Sequence, residues 1–339
     1  MVGGVNRQLR LSERPVGDVQ PGHFQVTEEE TPSPGDGEAL VKVLQISLDP
    51  AMRGWMSDAP SYLPPVGLGE VMRALVLGVV VESKADHLEP GDYVVGVLGV
   101  QEHAVAPAAA LTKVDPETAP LAAYLGALGM PGLTAYFGLL EVGDMREGDT
   151  VVISGAAGAV GSVAGQIAKA KGAGNVVGIA GGEDKCRWLV EELGFDAAID
   201  YKNEEVPKRL KETTPDRINV YFDNVGGDIL DASLVRLAHG ARVVICGAIS
   251  QYNAEGGMRG PRNYMMLLVR RARMQGFLVF DYADRYGEAV REMAQWRAEG
   301  KLTTREHVVS GGVEDFADTL NMLFRGENVG KLVLQIAEP

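Results

Sequence analysis

The feature that most constrains the fold is the succession of a strand, a turn of small residues and a helix at residues 150–171. Val151, Val152 and Ile153 form a short β-branched run, which is typical of a buried strand. Beyond the turn, apolar residues recur with the spacing of one helix face. A strand, a glycine-containing turn and a helix in this order open the βαβ unit of a dinucleotide-binding fold. An ordinary tight turn would show the same order, so neighbouring residues must distinguish the two.

The turn departs from the usual G-x-G-x-x-G pattern, because Ala156 stands in the place of the first glycine. Gly158 would still let the backbone approach a pyrophosphate, and Gly161 would let the helix pack closely on the strand. Free N–H groups at the helix N-terminus offer partial positive charge to phosphates. The turn is therefore a candidate phosphate cradle.

The chain of 339 residues is long enough for two domains. Its 46 acidic residues outnumber its 32 lysines and arginines, and the net charge of −14 argues against binding to nucleic acid or to an anionic membrane. The two cysteines, Cys186 and Cys246, are too few for a disulfide scaffold or a four-thiolate zinc site. The N-terminus lacks an apolar signal core, and the longest apolar run, at residues 74–81, is too short to span a bilayer. We therefore expect a soluble, cytoplasmic protein.

The pattern of the sequence changes near residue 125. Before it, short strand-like segments broken by glycine and proline predict a compact β-barrel-like domain. From there to about residue 300, short apolar runs alternate with helical patterns, which predicts a doubly wound parallel sheet. The last segment then returns to a strand, a helix and a strand. The predicted fold class is α/β, with one β-rich and one parallel-sheet domain.

The end of the second predicted strand of the parallel sheet bears on the choice between NAD and NADP. NAD sites usually place a carboxylate there, on the adenine ribose, whereas this chain has Gly181 and Gly182. Lys185 follows within reach of a 2′-phosphate, and a charge-assisted contact of about 1.5–3 kcal/mol would favour NADP. Glu183 and Asp184 complicate this assignment, since a small shift could place a carboxylate on the ribose. Lys185 could also be a solvated lysine of the first helical turn.

Six segments, in order along the chain, resemble the zinc-independent medium-chain reductases that reduce alkenal and enone double bonds. This family includes leukotriene B4 12-hydroxydehydrogenase/prostaglandin reductase, plant double-bond reductases and bacterial NADPH-dependent curcumin reductase. Besides the glycine loop, the segments are LDPAMRGWM at 48–56, LGMPGLTAY at 128–136, FDNVGG at 222–227, CGAISQYN at 246–253 and GENVGK at 326–331. SDAPSYLPP at 57–65 points to the curcumin-reductase branch.

The resemblance implies a GroES-like catalytic domain at residues 1–125 and 302–339, with a Rossmann NADP-binding domain at residues 126–301 between them. It also implies NADPH as the cofactor and a homodimer. The residues that it places at the cofactor are Met130, Thr134, Gly158, Ala159, Val160, Gly161, Lys185, Tyr201, Asn224, Cys246, Gly247, Ala248, Ile249, Ser250, Tyr252, Phe277, Leu278, Val279 and Asn328.

Within that set, the resemblance places residues 158–161 on the pyrophosphate, and Lys185 and Tyr201 on the 2′-phosphate. Asn224 and residues 246–252 and 277–279 would line the nicotinamide half, Asn328 would reach it from the tail, and Met130 and Thr134 would face the cofactor. Structural explanations stay open for each residue. Tyr201 could cap a helix, Asn224 could shape a turn, and Cys246 could be a small buried residue.

The first 185 residues contain no cysteine, so we expect no metal site of the kind that zinc enzymes of this superfamily use. Conjugate reduction of an enone needs less activation, because hydride adds to the β-carbon, charge moves to the carbonyl oxygen, and the α-carbon takes a proton. A tyrosine suits the role of donor to that oxygen, since its pKa of about 10 keeps it protonated at neutral pH. Tyr252 is the first candidate, Tyr62 the second and Tyr264 the third. Tyr252 could instead only contact the cofactor, Tyr62 could be a surface residue, and a cofactor ribose hydroxyl could be the donor.

Ala51, His103 and Val269 stand where relatives carry tyrosine or greater bulk, which predicts a wider or more apolar pocket. Three functions remain open from the sequence. The first is reduction of small α,β-unsaturated ketones and aldehydes, the second is quinone reduction, and the third is a non-catalytic NADPH-binding sensor or structural role. The segments at 49–53 and 246–252 favour the first over the second.

Overall fold

The computed structural model describes residues 4–338, which form two compact units. The first unit is Met1–Leu125 with Glu306–Pro339, and the second is Gly126–Arg305. The sequence analysis assigned residues 302–305 to the first of these. They belong to the second because the Thr303 N–H donates to Oε1 of Gln166, at 2.8 Å.

Strands make up most of the first unit and the centre of the second. The first unit begins with β1 (Val5–Leu11), β2 (Phe24–Glu30), β3 (Glu38–Ser47), β4 (Leu75–Ser83), β5 (Tyr93–Val97), β6 (His103–Pro107) and β7 (Thr112–Val114). The second unit contains β8 (Thr150–Ser154), β9 (Asn175–Ala180), β10 (Ala197–Asp200), β11 (Ile218–Asp223), β12 (Leu237–Ile245) and β13 (Arg273–Gly276). The chain returns to the first unit with β14 (Glu306–Ser310) and β15 (Lys331–Gln335).

The α-helices lie mainly in the second unit. The first unit has α1 (Met52–Trp55). The second has α2 (Met130–Phe137), α3 (Gly161–Ala170), α4 (Glu183–Glu191), α5 (Val206–Thr213), α6 (Gly227–Val235), α7 (Met265–Arg270) and α8 (Tyr286–Ala298), and the tail has α9 (Phe316–Arg325). In the described part of the chain, no helix has both the length and the apolar character that crossing a bilayer requires.

The first unit is built on β3, a strand of ten residues. β4 pairs with one edge of β3, and the other edge is shared by β6 along its first half and β15 along its second. The sheet runs β14-β15-β3-β4-β5-β7, and β1 pairs with β2 in a separate ribbon. Leu44, Leu77 and Val333 belong to its buried core, so the tail completes the same sheet.

The second unit is a parallel sheet in the order β10-β9-β8-β11-β12-β13. Chain order runs outward to β10 on one side of β8 and to β13 on the other, which is the doubly wound arrangement. Its central strands β8, β9 and β11 carry runs of buried apolar residues, as parallel strands covered on both faces do. The predicted α/β fold class, with an N-terminal domain and a parallel-sheet cofactor domain, is confirmed.

The chain leaves the parallel sheet after β13, which ends at Gly276. The ring of Phe277 packs so closely on Gly138 that a β-carbon there would lie 2.5 Å from the ring. Val279 is buried and begins a 3₁₀-helical segment, Val279–Arg285, which is kinked at Tyr282.

Candidate cofactor-binding site

The candidate site lies at the carboxyl edge of the parallel sheet. All five strand pairings are parallel, so the loops that follow β8, β9, β10, β11 and β12 emerge at the same edge. Strand order reverses between β8 and β11, and ligands of open α/β sheets bind at such a reversal.

The glycine loop connects β8 to α3. Gly155 has a φ of +59°, a left-handed conformation that side chains disfavour, so it makes the sharp turn out of β8. A β-carbon on Gly161 would lie 2.4 Å from the Gly155 carbonyl oxygen and 2.8 Å from Cα of Ala156, which only glycine avoids. Gly155 lies one residue before the aligned pattern and was not among the predicted residues. A glycine directly after a buried strand was the signal that could have found it.

A buried carboxylate joins the ends of β8 and β11. Oδ1 of Asp223 accepts hydrogen bonds from the Ser154 hydroxyl at 2.8 Å and the Tyr221 hydroxyl at 3.0 Å. It also accepts the backbone N–H groups of Val225 at 3.1 Å and Gly226 at 3.0 Å. Burial raises the pKa of Asp223 above its usual value, although these hydrogen bonds act to lower it. Asp223 is thus a residue of the site that the sequence motifs did not indicate, although an acidic residue at the end of an apolar strand was a visible signal.

Asn224 is placed by the same network. Its backbone N–H donates to the Ser154 hydroxyl at 2.9 Å, and its side-chain amide donates to the Ser154 carbonyl at 2.7 Å. A β-carbon on Gly155 would lie 3.3 Å from Cβ of Asn224, so the amide stands against the glycine loop. The structure therefore brings the glycine loop and the segment at 222–227 together.

The loop that follows β12 folds over the same turn. The N–H groups of Cys246 and Gly247 donate to the Asp223 carbonyl at 2.9 and 3.0 Å. The Ser250 hydroxyl donates to the Val225 carbonyl at 2.6 Å, and the Ile249 N–H to the Asn224 carbonyl at 3.2 Å. Three separate sequence motifs thus form one continuous rim above β8, β11 and β12.

Tyr252 closes this loop on itself. Its hydroxyl accepts the N–H of Ala248 at 3.1 Å, and a β-carbon on Gly247 would lie 3.0 Å from that oxygen. Burial, followed by the charge of Asp223, raises the pKa of the Cys246 thiol to about 12. Cys246 therefore stays a neutral thiol at neutral pH, as its interpretation as a small buried residue requires.

The turn after β9 carries the residues predicted for the 2′-phosphate. Gly181 has no side chain, and a β-carbon there would lie 2.8 Å from Cε1 of Tyr201 and 2.9 Å from Cε of Lys202. Burial, and after it repulsion from Lys202, lowers the pKa of Lys185. The structure therefore gathers Lys185, Tyr201 and Lys202 around this turn.

Glu183 and Asp184, which could have placed a carboxylate on the ribose, point elsewhere. Both pair with Arg187 on the outer face of α4, at 3.0 and 3.1 Å. Their side chains are 86% and 92% exposed. Both acids therefore engage Arg187 on the exposed face of α4.

The remaining predicted residues of the second unit have local partners. The Thr134 hydroxyl donates to the Met130 carbonyl at 2.8 Å within α2. The Tyr286 hydroxyl donates to the Val279 carbonyl at 3.0 Å and lies 3.9 Å from the Met130 sulfur. Because the Val279 side chain is buried, its contact with a cofactor would have to come from its main chain.

In the first unit, the first and last family segments are joined by a buried lysine. Nζ of Lys331 donates to the Leu48 carbonyl at 2.8 Å and to Oδ1 of Asp49 at 2.7 Å. Burial lowers the pKa of Lys331, and Asp49 partly offsets this. Asn328 is buried beside it, and its amide donates to the Gly330 carbonyl at 2.9 Å.

Tyr62 lies in the loop after α1 of the first unit and is 46% exposed. Its hydroxyl accepts a long hydrogen bond of 3.4 Å from the Trp55 indole. Ala51 is half-buried at the start of α1, and His103 is half-buried at the start of β6. In the second unit, Val269 and Tyr264 are both more than half exposed, on α7 and at its start.

Among residues 4–338, no three or more histidine, cysteine, aspartate or glutamate side chains come together as metal ligands would.

Comparisons with known proteins cover nearly the whole chain. Residues 7–114 match the N-terminal domain of oxidoreductases, and residues 159–295 match the domain described as zinc-binding dehydrogenase. NADPH-dependent curcumin reductase of Escherichia coli is 41% identical over 98% of this chain and 97% of its own. The chain belongs to the zinc-independent medium-chain reductases, near curcumin reductase. The resemblance stated from the sequence motifs is confirmed.

Two further proteins place this medium-chain reductase within its family. The NADP(+)-dependent 2-alkenal reductase of Nicotiana tabacum is 40% identical over 89% of this chain and 88% of its own. The structure of CurA from Vibrio vulnificus in complex with NADPH superposes with a TM-score of 0.92, at 43% identity over 98% of this chain and all of that one. The reductase is an NADP-dependent oxidoreductase, and NADPH, as predicted, is its cofactor.

The carboxyl edge fits that cofactor. A glycine turn that would clash with any β-carbon lets main-chain N–H groups approach a pyrophosphate at the start of α3. Gly181, directly after β9, lets the Tyr201 ring and the Lys202 side chain pack against the main chain, and lysines are the cations that a phosphate would require.

Proposed function

We propose that this reductase uses NADPH to reduce the C=C bond of α,β-unsaturated ketones and aldehydes. The observation that carries the proposal is the rim formed by the glycine loop, Asn224 and residues 246–252. This rim stands in a chain that is 41% identical to a curcumin reductase and 40% identical to a 2-alkenal reductase. Residues 158–161 would hold the pyrophosphate, and Lys185 and Tyr201 would hold the 2′-phosphate.

Bound NADPH supplies the hydride, and the chain's own residues do the rest. Asn224, held to Ser154 through its backbone and its amide, would fix the nicotinamide half of the site. The N–H groups of Cys246 and Gly247 donate to the Asp223 carbonyl at the end of β11, so these bonds hold the rim in place before a ligand binds. Tyr252 would donate its hydroxyl hydrogen to the carbonyl oxygen of the substrate, where negative charge develops during the reduction. Tyr62 is the second proposed substrate contact.

The test is NADPH oxidation with 3-nonen-2-one, a quinone and a simple saturated ketone, with the product masses recorded. We expect turnover of the enone, with the product gaining two hydrogen atoms and losing its C=C bond. In the Tyr252→Phe variant, we expect kcat for the enone to fall about 100-fold, with a change in NADPH affinity of less than about threefold. Turnover of the quinone alone would favour quinone reduction. Binding of NADPH without turnover of any compound would favour the sensor role.

A phenylalanine variant that keeps its kcat but binds NADPH more weakly would contradict the role of donor. The hydroxyl would then act only by holding its own loop through Ala248.

We further propose that the reductase is a homodimer joined through the edge of the parallel sheet. Within the described residues β13 pairs only with β12, so its outer edge presents unpaired N–H and C=O groups. All four residues of β13 are exposed. Large apolar side chains around it are also exposed, among them Met265, Leu268, Val269 and Met274. A two-fold axis at this edge would pair β13 with its own copy and cover these side chains.

Leu268→Glu should convert the dimer into a monomer, because the charge would be buried at the interface. Light scattering on eluted protein should give twice the 36.1 kDa chain mass for the wild type and the single chain mass for the variant. Val97→Glu is the control, since Val97 is 65% exposed on a strand of the first unit. A wild-type protein that is monomeric at micromolar concentration would refute the proposal.

A further inference from the structure

The turns that follow β9 and β10 lie against each other at one end of the carboxyl edge. Only glycine fits at position 181, because a β-carbon would lie 2.8 Å from the Tyr201 ring and 2.9 Å from the Lys202 side chain. Lys202 is the residue directly after Tyr201, and its side chain crosses Gly181, the residue that follows β9. Lys202 thus lies over the turn after β9, and α4, which carries Lys185 in its first turn, begins directly after that turn.

The carboxylate of Asp200, which is buried beside these turns, accepts hydrogen bonds from both of them. Oδ1 of Asp200 accepts the N–H of Gly182 at 2.8 Å and the N–H of Lys202 at 3.0 Å. Its Oδ2 accepts the side-chain amide of Asn203 at 2.7 Å. Burial acts to raise the pKa of Asp200, but these hydrogen bonds and the positive charge of Lys202 outweigh it, and the pKa is lowered. Asp200 is therefore an ionised group that fixes both turns, and its oxygens already serve three donors.

The charge of the two lysines is arranged for an anion. Repulsion from Lys202 adds to burial in lowering the pKa of Lys185, so each ammonium group lies within the field of the other. A phosphate monoester carries a charge of about −1.5 to −2 at neutral pH, so both ammonium groups would attract it. Glu183 and Asp184 both pair with Arg187 on the exposed face of α4.

We infer that Lys202 is a second cation for the 2′-phosphate of NADPH and, with Lys185, sets the preference for NADPH over NADH. The inference rests on the proposed assignment of Lys185 and Tyr201 to that phosphate. It adds a residue that the family motifs did not indicate. Lys202 contributes charge from the β10 turn, and Lys185 contributes it from the first turn of α4.

Dissociation constants for NADPH and NADH, measured by calorimetry on the whole protein, test the inference. Lys202→Ala should weaken NADPH binding about 10- to 100-fold, the range of one charge-assisted contact, and change NADH binding less than about twofold. Adenosine 2′,5′-bisphosphate and AMP, used as probes, should show the same contrast without the nicotinamide. Lys208→Ala is the matched control, because Lys208 is an exposed lysine on α5. It should leave both affinities unchanged.

The outcomes separate this inference from the proposed site. If Lys185→Ala weakens NADPH binding but Lys202→Ala does not, Lys202 is only a surface lysine and the proposed site stands. If neither substitution affects NADPH binding, the proposed 2′-phosphate site is itself wrong. If Lys202→Ala weakens NADPH and NADH equally, Lys202 acts on the shape of the turn rather than on the phosphate, and the inference fails.

Discussion

Replacing Gly161 with alanine should abolish tight binding of NADPH. The new β-carbon would lie 2.4 Å from the Gly155 carbonyl oxygen and 2.8 Å from Cα of Ala156, and both of these are main-chain atoms. Since main chain cannot rotate away as a side chain can, the turn and the start of α3 must separate. We expect a loss of about 1–3 kcal/mol in the free energy of unfolding, as overpacking usually costs.

The effect on the cofactor should be larger than the effect on stability. A displacement of about 1 Å in the groups that position a ligand can lower activity about 100-fold. We therefore expect the NADPH dissociation constant to rise by at least that factor. Gly256→Ala is the matched control, because a β-carbon there meets nothing within 4 Å and the φ of Gly256 lies outside the left-handed region. Urea unfolding and calorimetric titration measure the two quantities. An unchanged NADPH affinity in Gly161→Ala would mean that the pyrophosphate does not lie on this turn.

The sequence alone predicted the strands because their patterns are local. The strand predicted at residues 151–153 and the one predicted to end before Gly181 are β8 and β9 of the structure. The parallel sheet followed from their alternation with helices. Each of these inferences uses residues that are near one another in the chain.

The parts of the site that sequence reasoning missed depend on contacts between distant residues. Ser154 meets Asp223 across 69 positions, and no pattern near either residue shows that one oxygen will accept four donors. Lys202 reaches Gly181 only because β10 lies beside β9 in the sheet order. Gly155 differs, since its position directly after a strand was visible in the sequence.

Asp223→Ala should be among the most destabilising substitutions in the second unit. It leaves the hydroxyls of Ser154 and Tyr221 and the N–H groups of Val225 and Gly226 without their shared acceptor. A buried donor without a partner costs about 1–3 kcal/mol, and partial relaxation should bring the total loss in unfolding free energy to about 3 kcal/mol. Tyr221→Phe removes a single donor and should cost about 1 kcal/mol.

The pH dependence of that loss distinguishes the carboxylate from a simple packing role. Burial raises the pKa of Asp223 in the folded state, so the folded protein favours the protonated form. The contribution of this group to stability is therefore greatest below its unfolded pKa of about 3.9 and declines as the pH rises through the folded value. Urea unfolding at about pH 4 and pH 7 should show a larger difference between wild type and Asp223→Ala at the lower pH. A difference that is equal at both pH values, or larger at pH 7, would show that the folded pKa is not raised.

The same variant should also bind NADPH about tenfold more weakly. The Ser154 hydroxyl, which accepts the Asn224 N–H, loses its own acceptor in Asp223→Ala, so Asn224 should be held less firmly against the glycine loop.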